Sequence, residues 1–428
     1  MRARRYLTAA AVAGAMTLTG CAAAGGAGGD GGDGDVAMTL WHNSTTGDGK
    51  QYWEDAAAAF EEENPGVSIE VQSIQNEDMD GRLQTAVNSG DMPDIFMARG
   101  GGKLADIVAA GAVKDLTDLV ADDVRADYGD GVFDAFTVDG AVYGLPTAVL
   151  PGGIFYSEDL FAEAGIEPPT SMNELVAATE ALKGADVAPI ALGGMDAWPA
   201  AHWYYFFALR ECGQDVMSDI ATTRDFSDDC WLAAGEDLAE FAEKEPFNEG
   251  FLTTPAQQGA GSSAGLLANH QAAMELMGGW NVGVIASLTP DQKPLADLGW
   301  FPFPAVEGGD GDPAAMMGGV DGYSCSVDSP SACEDFLNFI ASQEWQEKYA
   351  QAYQTIPASK AAQGAVTEPA LEPLMAAYND ASYVAVWLDT SLGQNVGNAL
   401  NTAVVEMLSG NGSPEGIVEA VEGAAARG

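Results

Sequence analysis

Positive charge is what this sequence most lacks. Lysine and arginine together number 17 against 64 aspartates and glutamates, for a formal charge of −47. Phosphate recognition rests on clustered lysine and arginine, so nucleic acid and anionic lipid surfaces are excluded as partners. The acidic surplus reads as a solvated surface that keeps the chain soluble. Long apolar runs are missing too. Beyond the first twenty residues no stretch reaches about 18 uninterrupted apolar residues, so no membrane span is expected there. Histidine is nearly absent (His42, His202 and His270), and the later cysteines show no C-x-x-C spacing, so zinc is disfavoured and no metal or cofactor is expected.

What is present begins with an export signal. Arg2, Arg4 and Arg5 precede the apolar stretch 6–19. Leu18, Thr19, Gly20 and Cys21 resemble the lipobox of bacterial lipoproteins, which implies removal of residues 1–20 and a lipid on Cys21. The "AAAGGAGGDGGDGD" that follows has almost no apolar surface to repay the entropy of ordering it. Residues 21–36 therefore read as the lipid-bearing cysteine and a flexible tether, holding the chain at the extracellular face of the cell membrane. Without the signal the formal charge becomes about −50, and the 408 residues left exceed one ordinary core, so two domains are expected. With Cys21 lipidated, four cysteines remain, as two local pairs in an oxidising compartment. They predict disulfides Cys212–Cys230 and Cys325–Cys333.

From Ala37 strands and helices alternate. "MTLW", "VSIEV" and "DIFMA" read as strands, and "GKQYWEDAAAAFEEENPG", "DGRLQTAVNSG" and "KLADIVAAGAVKDLTDLV" as helices, which predicts βαβ units around a largely parallel sheet. Asp139-Gly140 between alternating runs is a hairpin signal, and the chain is expected to cross between domains near it. Ser171 to Glu174 forms a capping box, "VAPIAL" a strand, and Ser413-Pro414 the start of a last helix; the final third is read as mostly helical.

Two motifs suggest chemistry and fall short of it. "GSSAG" at 261–265 has the G-x-S-x-G spacing of serine hydrolases, but loop-like residues precede it and no histidine follows His270. "RGGGK" at 99–103 lies where a phosphate loop would, yet Met97 and Leu104 stand where that pattern needs glycine and serine or threonine. Its position between strand and helix still suits a polar contact from Arg99, with a salt bridge as the rival reading. Acidic residues are too abundant for a glycosidase pair to be picked out. Aromatics stand out more clearly. Trp41, Tyr143, Trp198, Trp280 and Tyr323 lie beside glycines or at strand ends, and rings next to Asp, Asn and Arg are what a sugar requires. Trp53, Trp231 and Trp345 fall on amphipathic helical patterns and are assigned to core.

The order "WEDAAAAFEEENPGVSIEV", "AVNSGDMPDIFM", "VDGAVYGLP", "IFYSEDLFAEAGIEPPTSMNEL", "AAMELMGGWNVGVI" and "FLNFIASQEWQEKYAQAYQTIPAS" resembles the extracellular solute-binding proteins, family 1, of ABC sugar importers. The resemblance implies a two-lobed, periplasmic-binding-protein-like α/β fold with a ligand cleft between lobes joined by a hinge. Lobe 1 would comprise 37–147 plus 285–338, and lobe 2 148–284 plus 339–428. It implies no enzyme and no cofactor, but a monomer that delivers a carbohydrate to ABC transporter permease subunits. The ligand contacts it implies are Trp41, His42, Asn43, Arg99, Gly100, Tyr143, Asp196, Trp198, Trp280, Asp321, Tyr323, Trp387 and Asp389. The alternatives are a receptor for another polar solute such as a polyamine, and a secreted hydrolase.

Overall fold

The computed structural model describes residues 35–185 and 187–427. The expected export signal, Cys21 and the expected tether as far as residue 34 lie outside them. The chain crosses three times between two lobes, each built on its own sheet. It first lays down β1 (Val36–His42), α1 (Gly47–Glu63), β2 (Val67–Ser73), α2 (Asn76–Ser89), β3 (Ile95–Arg99), α3 (Gly102–Ala109), α4 (Asp122–Tyr128) and α5 (Asp130–Asp134). The hairpin β4 (Thr137–Val138) and β5 (Ala141–Val142) follows, then β6 (Leu145–Val149). Lobe 2 starts with β7 (Gly152–Ser157), α6 (Glu158–Ala164), α7 (Met172–Gly184), β8 (Ala188–Ile190), α8 (Trp198–Glu211), α9 (Gln214–Thr223) and α10 (Asp229–Glu243). It continues through α11 (Ser263–Ala268), β9 (Ala272–Gly278), α12 (Asn281–Leu288), β10 (Leu298–Phe301) and β11 (Met316–Gly318). The chain returns with β12 (Val320–Cys325), α13 (Ala332–Ile340), α14 (Gln343–Tyr353) and β13 (Ile356–Pro357). It crosses again to α15 (Leu371–Asp380), β14 (Val384–Val386), α16 (Leu388–Ser391), α17 (Gln394–Leu408) and α18 (Pro414–Ala425).

The first sheet has the order β13-β6-β12-β3-β1-β2. β1, β2 and β3 are parallel, as the βαβ rhythm predicts, whereas β12, β6 and β13 join antiparallel. The second sheet, β10-β7-β9-β8, is antiparallel except for β8 beside β9. These pairings move the expected crossings at 285 and 338. β10 pairs with β7 in lobe 2, and β13 with β6 in lobe 1, so lobe 1 recovers the chain only from Val320 and keeps it to about residue 357. Two crossing segments pair directly. The Leu150 N–H donates to the Gly319 carbonyl at 2.8 Å, and the Gly319 N–H returns the bond at 3.3 Å. This pair forms part of the hinge.

Local signals explain most elements. Asp139 (φ 51°) and Gly140 (φ 84°) form the tight turn between β4 and β5. The capping box of Ser171 and Glu174 opens α7, and Ser413 caps α18 with Pro414 in its first turn. The helix expected over 103–120 stops at Ala109, because Gly111 takes φ 72° and turns the chain out. The final third also carries more strand than expected, with β12 in the middle of the first sheet.

The largest core belongs to lobe 2 and surrounds α8, which is buried on every side from Pro199 to Arg210. A helix with Trp203, Tyr204, Tyr205, Phe206 and Phe207 in succession has no polar face to offer solvent, so neighbours must cover it all round. Its one charge there, Arg210, donates to the carbonyls of Phe303, Pro304, Asp312 and Ala315, tying the helix end to the segment before β11. Trp53, Trp231 and Trp345 are all buried, as expected.

Both disulfides are present. Cys212–Cys230 joins the ends of α8 and α10, and Cys325–Cys333 links β12 to α13. Replacing Cys212 and Cys230 together by Ser opens a loop of 18 residues and is expected to cost about 3 kcal/mol of unfolding free energy. Denaturant titration reads the loss; a double variant as stable as the parent would mean the bond constrains nothing.

Candidate functional site

A cleft of about 660 Å³ opens between the lobes. Lobe 1 supplies its polar floor. Asn43 and Ser44 follow β1, Asn76, Glu77 and Asp80 occupy the first turns of α2, Arg99 and Lys103 flank the start of α3, and Asp321 comes from β12. Strand ends and helix starts meet here because parallel βα units bring all their β-to-α turns to one edge of the sheet.

Arg99 organises the floor. Its Nε donates to Asp80 Oδ1 at 3.2 Å, its Nη2 donates to Asn76 Oδ1 at 2.8 Å, and its Nη1 lies 3.6 Å from Asp321 Oδ2. Lys103 Nζ bridges Asp80 Oδ2 at 2.9 Å and Asp389 Oδ2 at 3.3 Å. Burial alone would raise the Asp80 carboxyl, but Arg99 and Lys103 outweigh it and hold it well below its ordinary range. Burial would also raise Asp389, which Lys103 above all holds low. Asp321 is the exception, since burial lifts it despite Arg99. Arg99 thus satisfies both readings of its position, lining the cleft and forming the salt bridges.

Lobe 2 supplies an aromatic wall. Trp280 follows β9 and lies across Gly278, where a side chain would collide with its ring. It sits 6.2 Å from Trp198 and 5.8 Å from Trp387, centroid to centroid. His202 stacks on Trp387 at 4.3 Å with an interplanar angle of 14°. Trp198 enters α8 through Ala197, whose φ of 62° is a left-handed conformation costly for alanine. Beside it Asp196 accepts a hydrogen bond from the Ala256 N–H at 2.7 Å. Trp198 Nε1, Trp387 Nε1 and His202 Nδ1 are buried and have no protein partner.

Nine of the thirteen expected contacts line this cleft: Asn43, Arg99, Asp196, Trp198, Trp280, Asp321, Tyr323, Trp387 and Asp389. Tyr323 is mostly core, packed 4.2 Å from Trp53. Trp41, His42, Gly100 and Tyr143 do not line it. His42 is fully buried against Ser73 and Ser44, Trp41 and Tyr143 pack onto the lobe 1 core, and Gly100 lies tight against Ala135. Sequence reasoning missed Asp80, Lys103, His202, Thr147, Tyr353 and Asn401, which all line the cleft. Only Lys103 in "RGGGK" and the rarity of His202 gave any signal.

A family model described as Bacterial extracellular solute-binding protein matches residues 43–347, well over half the chain. The chain belongs to the bacterial extracellular solute-binding proteins. Among relatives, an ABC transporter extracellular-binding protein of Pyrococcus horikoshii is 23% identical over 338 residues, 76% of this chain and 72% of its own. The melibiose/raffinose/stachyose-binding protein MelE of Bacillus subtilis is 24% identical over 314 residues, 71% of this chain and 70% of its own. A chitin oligosaccharide binding protein superposes with a TM-score of 0.82 at 26% identity, covering 92% of this chain and 99% of its own. A structure from work on xylan utilization by the thermophilic bacterium Caldanaerobius polysaccharolyticus gives 0.84 at 23% identity, covering 91% and 100%. The family and these neighbours are binding proteins rather than enzymes. In this solute-binding protein, Ser263 of "GSSAG" is buried and donates to the Ala256 carbonyl at 3.0 Å, while His270 pairs with Asp297.

Acid should weaken the fold through its histidines. Burial pushes His202 down to about 4, with Asp389 opposing, and burial together with Lys50 pushes His42 down to about 3. In the unfolded chain both titrate near 6.5, so below that pH the unfolded state binds more protons. Their stability contribution is whole above about pH 6.5 and is lost as pH falls toward 4, up to about 3 kcal/mol from His202. Urea unfolding at several pH values should show this decline, and His202→Gln should flatten it. An equal decline in the variant would remove His202 from the account.

Proposed function

We propose that this solute-binding protein captures an oligosaccharide or other glycoside in its interlobe cleft and delivers it to the permease of an ABC importer, held at the membrane by a lipid on Cys21. The observation that carries the ligand class is the pairing of surfaces across the cleft. A wall of Trp198, Trp280 and Trp387 offers apolar faces for sugar C–H groups, opposite a floor of carboxylate, amide and guanidinium groups that bond hydroxyls. MelE and the chitin oligosaccharide binding protein, named for sugars, agree with that class.

A polyamine fits less well. Six carboxylates and two cations line the cleft, a ratio no steeper than the 64 to 17 of the whole chain. Asp80, Asp321 and Asp389 already face Arg99 or Lys103. For a hydrolase, the "GSSAG" serine is badly placed: Ser263 has the Glu275 carboxyl beside it, but it is fully buried away from the cleft and its hydroxyl donates to the Ala256 carbonyl.

A thermal-shift panel of xylan-, chitin- and raffinose-type oligosaccharides beside spermidine tests the reading. A ligand at 100 times its Kd adds about 2.7 kcal/mol of stability. Stabilisation by a sugar that is recovered intact is expected; stabilisation by spermidine alone, or release of new reducing ends, would overturn the assignment. With that sugar in hand, Trp280→Ala should weaken binding by about 1–3 kcal/mol. Its stability loss should stay below the roughly 3–5 kcal/mol of a core tryptophan such as Trp203. For the anchor, Cys21→Ala should release the protein to the medium or leave it unprocessed. A variant that fractionates with membranes at its normal processed mass would refute lipidation.

A further inference from the structure

The "RGGGK" motif, with no phosphate to bind, has another use. α3 begins at its last glycine, and the start of α3 lies against the other lobe. A Cβ on Gly102 would collide with the Ser391 carbonyl oxygen and come within 2.7 Å of the Gly393 nitrogen, so its three nearest neighbours all belong to the α16–α17 turn of lobe 2. Gly101, at φ 109°, faces Val386 and Thr390 of that lobe. One turn further along α3, Asp106 Oδ2 accepts the Gln394 N–H at 2.9 Å, and Asp106 Oδ1 lies 3.9 Å from Arg224, just past the end of α9. α17 has no cap of its own, because its N-cap residue is Gly393. An aspartate carboxylate is a preferred acceptor for the free N–H groups of a helix start. Here the other lobe provides it.

We infer that Gly102 and Asp106 are positioning residues for binding: Gly102 gives the clearance that lets the lobes meet, and Asp106 caps α17 across the interface when they do. Neither residue lines the cleft. The inference deepens the binding reading, since closing the lobes is what would enclose a sugar between floor and wall. Gly102 lies outside the left-handed region, so a side chain there is compatible with the helix itself and meets trouble only from lobe 2. Opening the lobes would remove the clash and uncap α17 together.

A second contact between the lobes supplies a reporter. Gln258 Nε2 of lobe 2 donates to Gln75 Oε1 at 3.2 Å and to Glu77 Oε2 at 3.0 Å in lobe 1. With Gln75 and Gln258 changed to Cys, and Cys21 to Ser, a short bismaleimide crosslinks the lobes at a rate set by how often they meet. No sugar is needed, so the outcome stands whatever the oligosaccharide panel gives. Gly102→Val should slow crosslinking about ten-fold or more. Asp106→Ala should slow it about five-fold, and Asp106→Asn, which keeps an acceptor, should restore most of the rate. Thermal melts on each variant check folding, with Gly102→Ala replacing the valine if that chain fails to fold. Parental rates in the glycine variant, an asparagine variant as slow as the alanine, or no crosslinking in the parent would each overturn the proposal.

Discussion

Arg99 is the constraint on which the cleft floor rests. In a chain so short of cations, Glu77, Asp80 and Asp321 gathered at one edge of a sheet, with Asp389 brought up from the other lobe, would repel each other and take up protons. Arg99 touches two of them directly and Asn76 besides, while Lys103 links Asp80 to Asp389. These side chains are mostly withdrawn from water, with 19% of the Arg99 side chain and 11% of the Lys103 side chain exposed. Such a network gains only while it is complete, because removing one member strands a buried charge. The register of the sheet makes completeness possible: β12 runs antiparallel to β3 with Asp321 opposite Arg99, so the backbone sets the ion pair before any rotamer is chosen.

The lobes divide the chemistry between them. Lobe 1 carries most of the charge, lobe 2 the tryptophans, and neither forms a complete surface alone. The hinge therefore governs whether the site exists. Leu150 and Gly319 hold two crossing segments together with a reciprocal pair of backbone bonds, and Gly318 and Gly319 leave room there for Pro151 and the Trp387 ring. Asp389 ties this hinge region to charge, since it follows Trp387 by two residues, belongs to lobe 2 and pairs with Lys103 of lobe 1. The ion pair that completes the floor is also a contact across the cleft.

Legibility in the sequence followed range. Features fixed within a few residues were readable: the capping box at Ser171, the turn at Asp139-Gly140, both disulfides and the three core tryptophans. Features set by distant partners were not. β12 looked like part of a helical third, because its neighbours β3 and β6 lie roughly 170 or more residues away and no local period announces a central strand. The same distance hid the true crossings of the chain. Within the site, Trp280 stood out by the glycines before it and Asp321 came only from the family resemblance, whereas Asp80 was one acid among sixty-four and could be distinguished only by what Arg99 touches. Two of the residues wrongly placed, Trp41 and His42, sit on one strand. β1 ends at His42, so only Asn43, in the turn beyond the strand, reaches the cleft, while His42 turns to the interior and Trp41 packs on the lobe 1 core.

The state of the floor bears on what it would hold. A charged ligand would have to be stripped of water and then compete with ion pairs already made, a cost that mutual attraction often fails to repay. A neutral polyhydroxyl solute meets no such barrier. On the proposed reading its hydroxyls would donate to Asp321 and Asp389, each of which faces a cation through one oxygen, and its oxygens would accept from the amide and guanidinium N–H groups of the floor. On the proposed reading the ion pairs thus act as a scaffold. They hold Asp80 and Asp389 ionised, and the ligand would use the hydrogen-bonding capacity left over. Selectivity among sugars would then come from the wall, where the spacing of Trp198, Trp280 and Trp387 sets which ring faces can be covered at once.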